Sequence, residues 1–314
     1  MEKTTLFQLH ALAVALHLTS GILGVIFIQD GTPVVDIVAP LFEFVTNAKP
    51  EEPFFRPKPK TIFSVAILTP LVAVEFITAF FHVVYILALK FEKVQAAIDY
   101  VVKTPGANAL RWIEYGITAT LLSTFGNVAI GITDYYFFLR SLACGISLQG
   151  LGYLIEKLDD IKDRELAETL NRGLFWFQGL LNLLPFVGIL LYQTFASTTY
   201  DAYPMFVQNT VPLALWYMTF AVINQLSFRK VNQFADPFYT EKWYILLSIS
   251  TKITIFWAEF ATFKSITEDN GFSTASGLNW DVVRYMALSF PAAIVVGIAF
   301  TDYRAWVFLN YGLQ

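Results

Sequence analysis

The stretch Trp243-Tyr244-Ile245-Leu246-Leu247-Ser248-Ile249-Ser250-Thr251-Lys252-Ile253-Thr254-Ile255-Phe256-Trp257-Ala258-Glu259-Phe260-Ala261-Thr262-Phe263 decides the reading of the chain. It reaches the length of about 20 mostly apolar residues that a membrane-spanning helix needs, and Lys252 stands near its middle. A charge at bilayer depth is costly and marks a functional position by default. One reading is a lysine that snorkels to the interface, but its stem covers roughly one helical turn and Lys252 lies deeper than that. The other reading is chemical. A buried amine loses its proton readily and attacks an aldehyde to form a Schiff base.

The rest of the chain has the same solvent. Of its 314 residues 56% are hydrophobic, 17% aromatic and 15% charged, where a soluble domain has about 25% charged residues. A net charge of −4 gives no footing for nucleic acid, and a single cysteine excludes an intramolecular disulfide or a thiolate metal cluster. The apolar run 6–28 is longer than the core of a signal peptide and reads as a first span. Further runs lie at 63–89, 107–127, 134–155, 173–196, 203–227 and 243–263, with a shorter one at 282–301. The expectation is an all-α polytopic membrane helical bundle: a seven-helix core over 1–264, then a C-terminal extension over 265–314 with an eighth transmembrane helix at 282–301. With the N-terminus inside, thirteen of the 21 Lys and Arg residues face the cytoplasm and seven face out, Lys252 being the remaining one. That bias favours a cytoplasmic N-terminus. The long, Pro-rich segment 29–62 then lies outside, either as a structureless loop or as short β-strands.

Other ionisable residues fall inside these runs. Glu114 is three residues after Arg111, close enough on one helix face for a local ion pair. Alternatively Glu114 is the counterion of a cation on a neighbouring helix, for which Lys252 is the candidate at similar depth. His17 and His82 intrude into the first and second spans, either as satisfied core residues or as groups that hold and pass a proton; Thr78 stands one turn before His82. Glu75 and Glu259 each lie seven residues from a key position, Glu259 on nearly the Lys252 face and about 10 Å further along. They form a row of proton acceptors, or each pairs with a packing partner. Trp176, Phe177, Trp216, Tyr217, Phe220 and Trp257 either line a polyene or simply pack.

Four patches resemble the heliorhodopsin family. Arg111-Trp112-Ile113-Glu114-Tyr115 is similar to its third-helix signature. Glu241-Lys242-Trp243-Tyr244-Ile245-Leu246-Leu247-Ser248, followed by Lys252 and Trp257, is similar to its seventh helix. Gly131-Ile132-Thr133-Asp134 resembles the turn into its fourth helix, and Gly152-Tyr153-Leu154-Ile155-Glu156-Lys157 resembles that helix's inner end. The resemblance spans about residues 5–264. It implies a seven-helix rhodopsin core with the N-terminus inside, all-trans retinal as chromophore and a homodimer. It also implies Lys252 as the Schiff-base lysine, Glu114 as its counterion and Ser248 as a hydroxyl hydrogen-bonded nearby. With a chromophore on Lys252, Tyr115, Trp176, Trp216, Phe220 and Trp257 are the expected lining, and the resemblance implies that His17 and His82 form a polar cluster that accepts a proton. The chain departs from the pattern where the family tends to carry serines after Tyr115, having Gly116, Thr118 and Thr120. It also departs in its 50 residues beyond Lys264, and in Glu75 and Glu259, which are not general family features.

The function expected is that of a photoreceptor in the plasma membrane, without enzyme activity. Light drives a proton movement and a slow photocycle, and the output goes to a signalling partner that the sequence does not name. The alternative is light-gated or light-driven proton transport through Glu75, Glu259, Glu114, His17 and His82, with Arg111 on the path.

Overall fold

The computed structural model describes residues 3–28, 32, 34–44, 55–94, 108–129, 132–196 and 218–269. Helix α1 spans Lys3–Ile28. Four strands follow: β1 Val34–Ala39, β2 Phe42–Phe44, β3 Phe55–Pro57 and β4 Lys60–Ala66. The remaining helices are α2 Leu68–Lys90, α3 Ala109–Ala129, α4 Tyr135–Lys157, α5 Arg164–Ala196, α6 Met218–Phe228 and α7 Pro237–Asp269. The expected eighth span at 282–301 lies outside the described residues, as do Trp216 and Tyr217.

Four of the described helices are long and apolar enough to cross a membrane: Thr4–Ile28, Leu68–Lys90, Tyr135–Asp160 and Pro237–Lys264. Helix α3 is more polar because it buries Arg111, Glu114, Thr118, Thr120 and Thr124, groups tolerated at depth only when they face the bundle interior. The outer surface is apolar instead, with Leu12, Ile22, Ile26, Phe80, Ile113 and Ile146 all exposed. A helix bundle with oil on the outside and polar groups within is the arrangement a bilayer selects.

Helix α7 is the centre of the bundle. It packs on α1, α2 and α3, while α1 packs along α2, α3 along α4, and α4 along α5. In the most apolar window of α7, 83% of residues are buried, against 28% for α1. The reactive candidate Lys252 therefore sits on the most enclosed helix.

Residues 63–66, expected to open the second span, belong to strand β4 instead, because they complete a ladder with β1 and the strand carries β-branched Thr61, Ile62 and Val65. β1 pairs antiparallel with β4, with a register shift between Ile37 and Val38, and β2 pairs antiparallel with β3. Of the two readings of 29–62, short strands hold. Lys58 Nζ donates to Glu43 Oε2 at 2.8 Å across the smaller pair, and this hydrogen bond, with the ammonium charge, holds the Glu43 carboxyl below its usual range. Val38 N–H also donates to Thr133 O at 2.9 Å, tying the strands to the α3–α4 turn. Asp134 ends that turn as the N-cap of α4, accepting from Phe137 N–H at 2.7 Å.

Helices α3 and α4 approach closely at Gly152. A Cβ there would lie 2.3 Å from the Trp112 ring. Gly152→Ala is expected to cost about 1–3 kcal/mol by overpacking and to push Trp112 out of place. Thermal denaturation checks the first effect, and unchanged melting would show that the helices separate freely.

Candidate functional site

The site begins with one contact. Lys252 Nζ is ion-paired and hydrogen-bonded to Glu114 Oε1, joining α7 to α3. Both side chains are almost fully buried, at 5% and 2% exposure. Each charge is offset by the other, which is the condition for burying either. The ammonium also stands 5.0 Å from the centroid of the Tyr115 ring, within range of a cation–π attraction. Tyr115 is held in turn, donating its hydroxyl to Tyr244 O at 3.1 Å.

Lys252 forms part of the wall of a cavity of about 130 Å³ between α3, α4, α5, α6 and α7. Trp112, Tyr115, Leu122, Phe175, Phe220 and Ile255 make most of the lining apolar and aromatic. Tyr115 meets Phe220 edge-on at 5.3 Å, and Phe220 stacks on Tyr244 at 6.1 Å. A flat hydrocarbon chain suits such walls, and a cationic linkage suits a buried amine with an anion beside it. Ser248, one turn from Lys252, has a buried Oγ without a partner among the described residues, as does Thr251 Oγ1. Buried hydroxyls normally find a partner, so both are available to a group bound at Lys252. The residues present fit a retinal bound through its aldehyde carbon.

The other expected residues are placed as follows. Phe220 and Tyr115 line the cavity. Trp176 is 73% exposed and points away from it, while its neighbour Phe175 faces in. Trp257 packs elsewhere, donating from Nε1 to Ser20 Oγ at 3.1 Å and meeting Phe27, Phe256 and Phe260. Arg111 does not pair with Glu114. It forms ion pairs with Glu156 and Glu241, and its guanidinium lies 3.8 Å from the Tyr244 ring centroid. Trp112 Nε1 donates to Glu156 Oε2 at 2.8 Å and Asn108 Nδ2 donates to Glu241 Oε1 at 3.3 Å. Arg111 thus clamps α3, α4 and α7 at the end where α1 begins.

His17 and Glu75 join across α1 and α2, Nδ1 to Oε2 at 2.7 Å, with both side chains fully buried. His17 stacks on His82 with centroids 5.9 Å apart. His82 shares a hydrogen bond with His10, Nδ1 to Nδ1 at 2.8 Å. His10 is the functional candidate that sequence reasoning passed over. Its signal was present, since it precedes His17 by seven residues and shares its helix face. Glu259 is buried apart from this row, with Oε1 against Gly126 and Oε2 without a partner among the described residues.

A bundle of membrane-crossing helices with a lysine buried against a carboxylate in an aromatic-walled cavity is the arrangement of a rhodopsin-type protein. The heliorhodopsin family model matches residues 6–263, and the chain belongs to the heliorhodopsin family. It is accordingly an integral, multi-pass, light-sensing membrane protein of the retinal-binding type. No curated protein matches the chain.

Proposed function

We propose that this chain is a sensory photoreceptor in which Lys252 holds all-trans retinal as a protonated Schiff base and Glu114 is the counterion. The supporting observation is the buried contact of Lys252 with Glu114 at the cavity wall. When bound, retinal supplies light absorption and a double-bond isomerisation. The protein does the rest. Glu114 holds a proton on the Lys252 nitrogen by its charge. Tyr115 and Phe220 line the cavity and orient what it holds. Ser248 and Thr251 offer hydroxyls to whichever position the nitrogen takes. A change of geometry at Lys252 would take its proton out of line with Glu114 and leave the polar groups between α1 and α2 as acceptors. A charge change at a packed site then biases the helices around it.

The Lys and Arg bias supports a cytoplasmic N-terminus, and the proposed membrane is the plasma membrane. A homodimer and a signalling partner complete the proposed setting. Proton transport is the second reading, favoured by the burial of Glu259 on the strand side of Lys252. Voltage clamp on retinal-supplied cells separates the two. Coloured cells without a steady light-evoked current are the expected result. A steady current that reverses with the proton gradient would make the protein a channel, and one that does not reverse would make it a pump.

A further inference from the structure

The walls of the Lys252 cavity differ in chemistry. Helix α7 contributes Lys252 and Thr251, while α4 and α5 contribute Gln149 and Gln178, each only 7% exposed. Helix α7 packs on α1, α2 and α3, whereas α5 packs along α4, so the two glutamines belong to the wall across from the amine. Two other polar atoms of the lining side chains are engaged elsewhere: the Tyr115 hydroxyl donates to Tyr244 O, and Trp112 Nε1 donates to Glu156. Gln178 is different. Its Nε2 donates to Leu148 O at 3.3 Å, but its Oε1 is buried with no partner among the described residues.

Leu148 fixes which way that amide faces. The oxygen and nitrogen of a glutamine exchange places by a half-turn, and the hydrogen-bond partners decide between the two settings. Leu148 O is a main-chain carbonyl and can only accept, so the nitrogen must face it. Turning the amide over would set two oxygens against each other. The atom left unpaired is therefore an acceptor. A buried acceptor without a donor costs free energy that a donor recovers. A plain hydrocarbon ring offers no donor. A hydroxyl on that ring does, and a keto oxygen, itself an acceptor, does not.

We propose that Gln178 is a specificity-determining residue for the ring end of the chromophore, its Oε1 accepting a hydrogen bond from a ring hydroxyl, so that the cavity takes a ring-hydroxylated retinal in preference to retinal itself. This deepens the photoreceptor reading and rests on it. The aldehyde and the ring of such a molecule stand at opposite ends of a conjugated chain, as the amine and the amide stand on opposite walls of the cavity. Gln149, next in the chain to Leu148, keeps the same wall polar. The contact is non-covalent and transfers no proton. A placed polar group separates ligands by one hydroxyl better than an apolar wall separates them by size, and one hydrogen bond to an otherwise unpaired buried acceptor gives a preference of about tenfold.

The test is competition on the full-length protein. All-trans retinal is offered with an equal amount of its 3-hydroxy, 4-hydroxy or 4-oxo derivative, and the bound aldehydes are extracted and separated by chromatography. The better of the two hydroxylated forms should be taken up about tenfold over retinal, and the oxo form should have no advantage. In Gln178→Leu the preference should fall to parity. Infrared spectra of wild type loaded with each aldehyde guard against a leucine variant that fails to fold: a glutamine carbonyl band should move to lower frequency with the hydroxylated form. Equal uptake by wild type, an oxo form favoured as much as the hydroxylated ones, a preference unchanged in Gln178→Leu, or a carbonyl band that stays in place overturns the role of Gln178 and leaves the Lys252 reading standing. A wild-type protein without a visible band on any of these aldehydes overturns that reading and this inference with it.

Discussion

Lys252→Ala is expected to leave the protein colourless after retinal is added, with total loss of the visible band. A visible band requires a cationic conjugated linkage, and that linkage requires a primary amine in the cavity. Among the described residues Lys252 is the lysine that lines the cavity. The substitution also leaves Glu114 buried at 2% exposure without its cation. Stranding one partner of a buried pair is destabilising by roughly 3–5 kcal/mol, so folding must be checked separately. The double variant Lys252→Ala, Glu114→Gln removes both charges and should fold better while remaining colourless. Restored colour on adding retinal already condensed with a small alkylamine would show that the cavity survives. A visible band in the folded double variant without added amine would end the assignment of Lys252.

Glu114→Gln is expected to shift the visible band to the red. In the dark state the positive charge is concentrated near the Lys252 nitrogen, and light spreads it along the conjugated chain. A carboxylate beside the nitrogen therefore stabilises the ground state more than the excited state. Two unit charges about 4 Å apart at an effective dielectric of about 20 interact by about 4 kcal/mol, and the fraction lost on excitation sets the size of the shift. Neutral glutamine keeps the shape and removes the charge. Because it also holds the proton less firmly, part of the pigment should absorb in the near ultraviolet instead. Absorption spectra of purified wild type and variant decide the matter. An unshifted band would pass the counterion role to another carboxylate, with Glu259 the first to examine.

The two ends of the central contact were legible because charge inside an apolar run has so few acceptable explanations. Lys252 and Glu114 stood out by depth alone, and the structure brings them together. The Arg111 pairing was not legible. Its spacing to Glu114 suggested a local pair, but its partners come from α4 and α7, 45 and 130 residues away. Sequence spacing reports neighbours on one helix and says nothing of which helices meet. The same limit applies to Trp176, Phe177 and Trp257. Aromatic residues suit a cavity, a helix seam and lipid equally well, so type does not tell facing. His10 was passed over: it stands near the start of α1, and the approach of α2 buries it to 2% exposure. The end of β4 was misplaced because Ile62, Phe63, Val65 and Ala66 are as hydrophobic as the helix that follows. Hydropathy continued where backbone pairing changed.

The bond from Val38 to Thr133 has a consequence for biogenesis. Val38 follows the first helix and Thr133 precedes the fourth, so the two meet only when every intervening segment has reached its final side of the bilayer. Strand pairing between β1 and β4 needs less, because both lie between α1 and α2. The strands can thus form early, and their attachment to the α3–α4 turn closes later, once the chain is threaded as far as Thr133. That main-chain bond can close once the first three described helices are in place, before the lysine-bearing α7 arrives to complete the bundle.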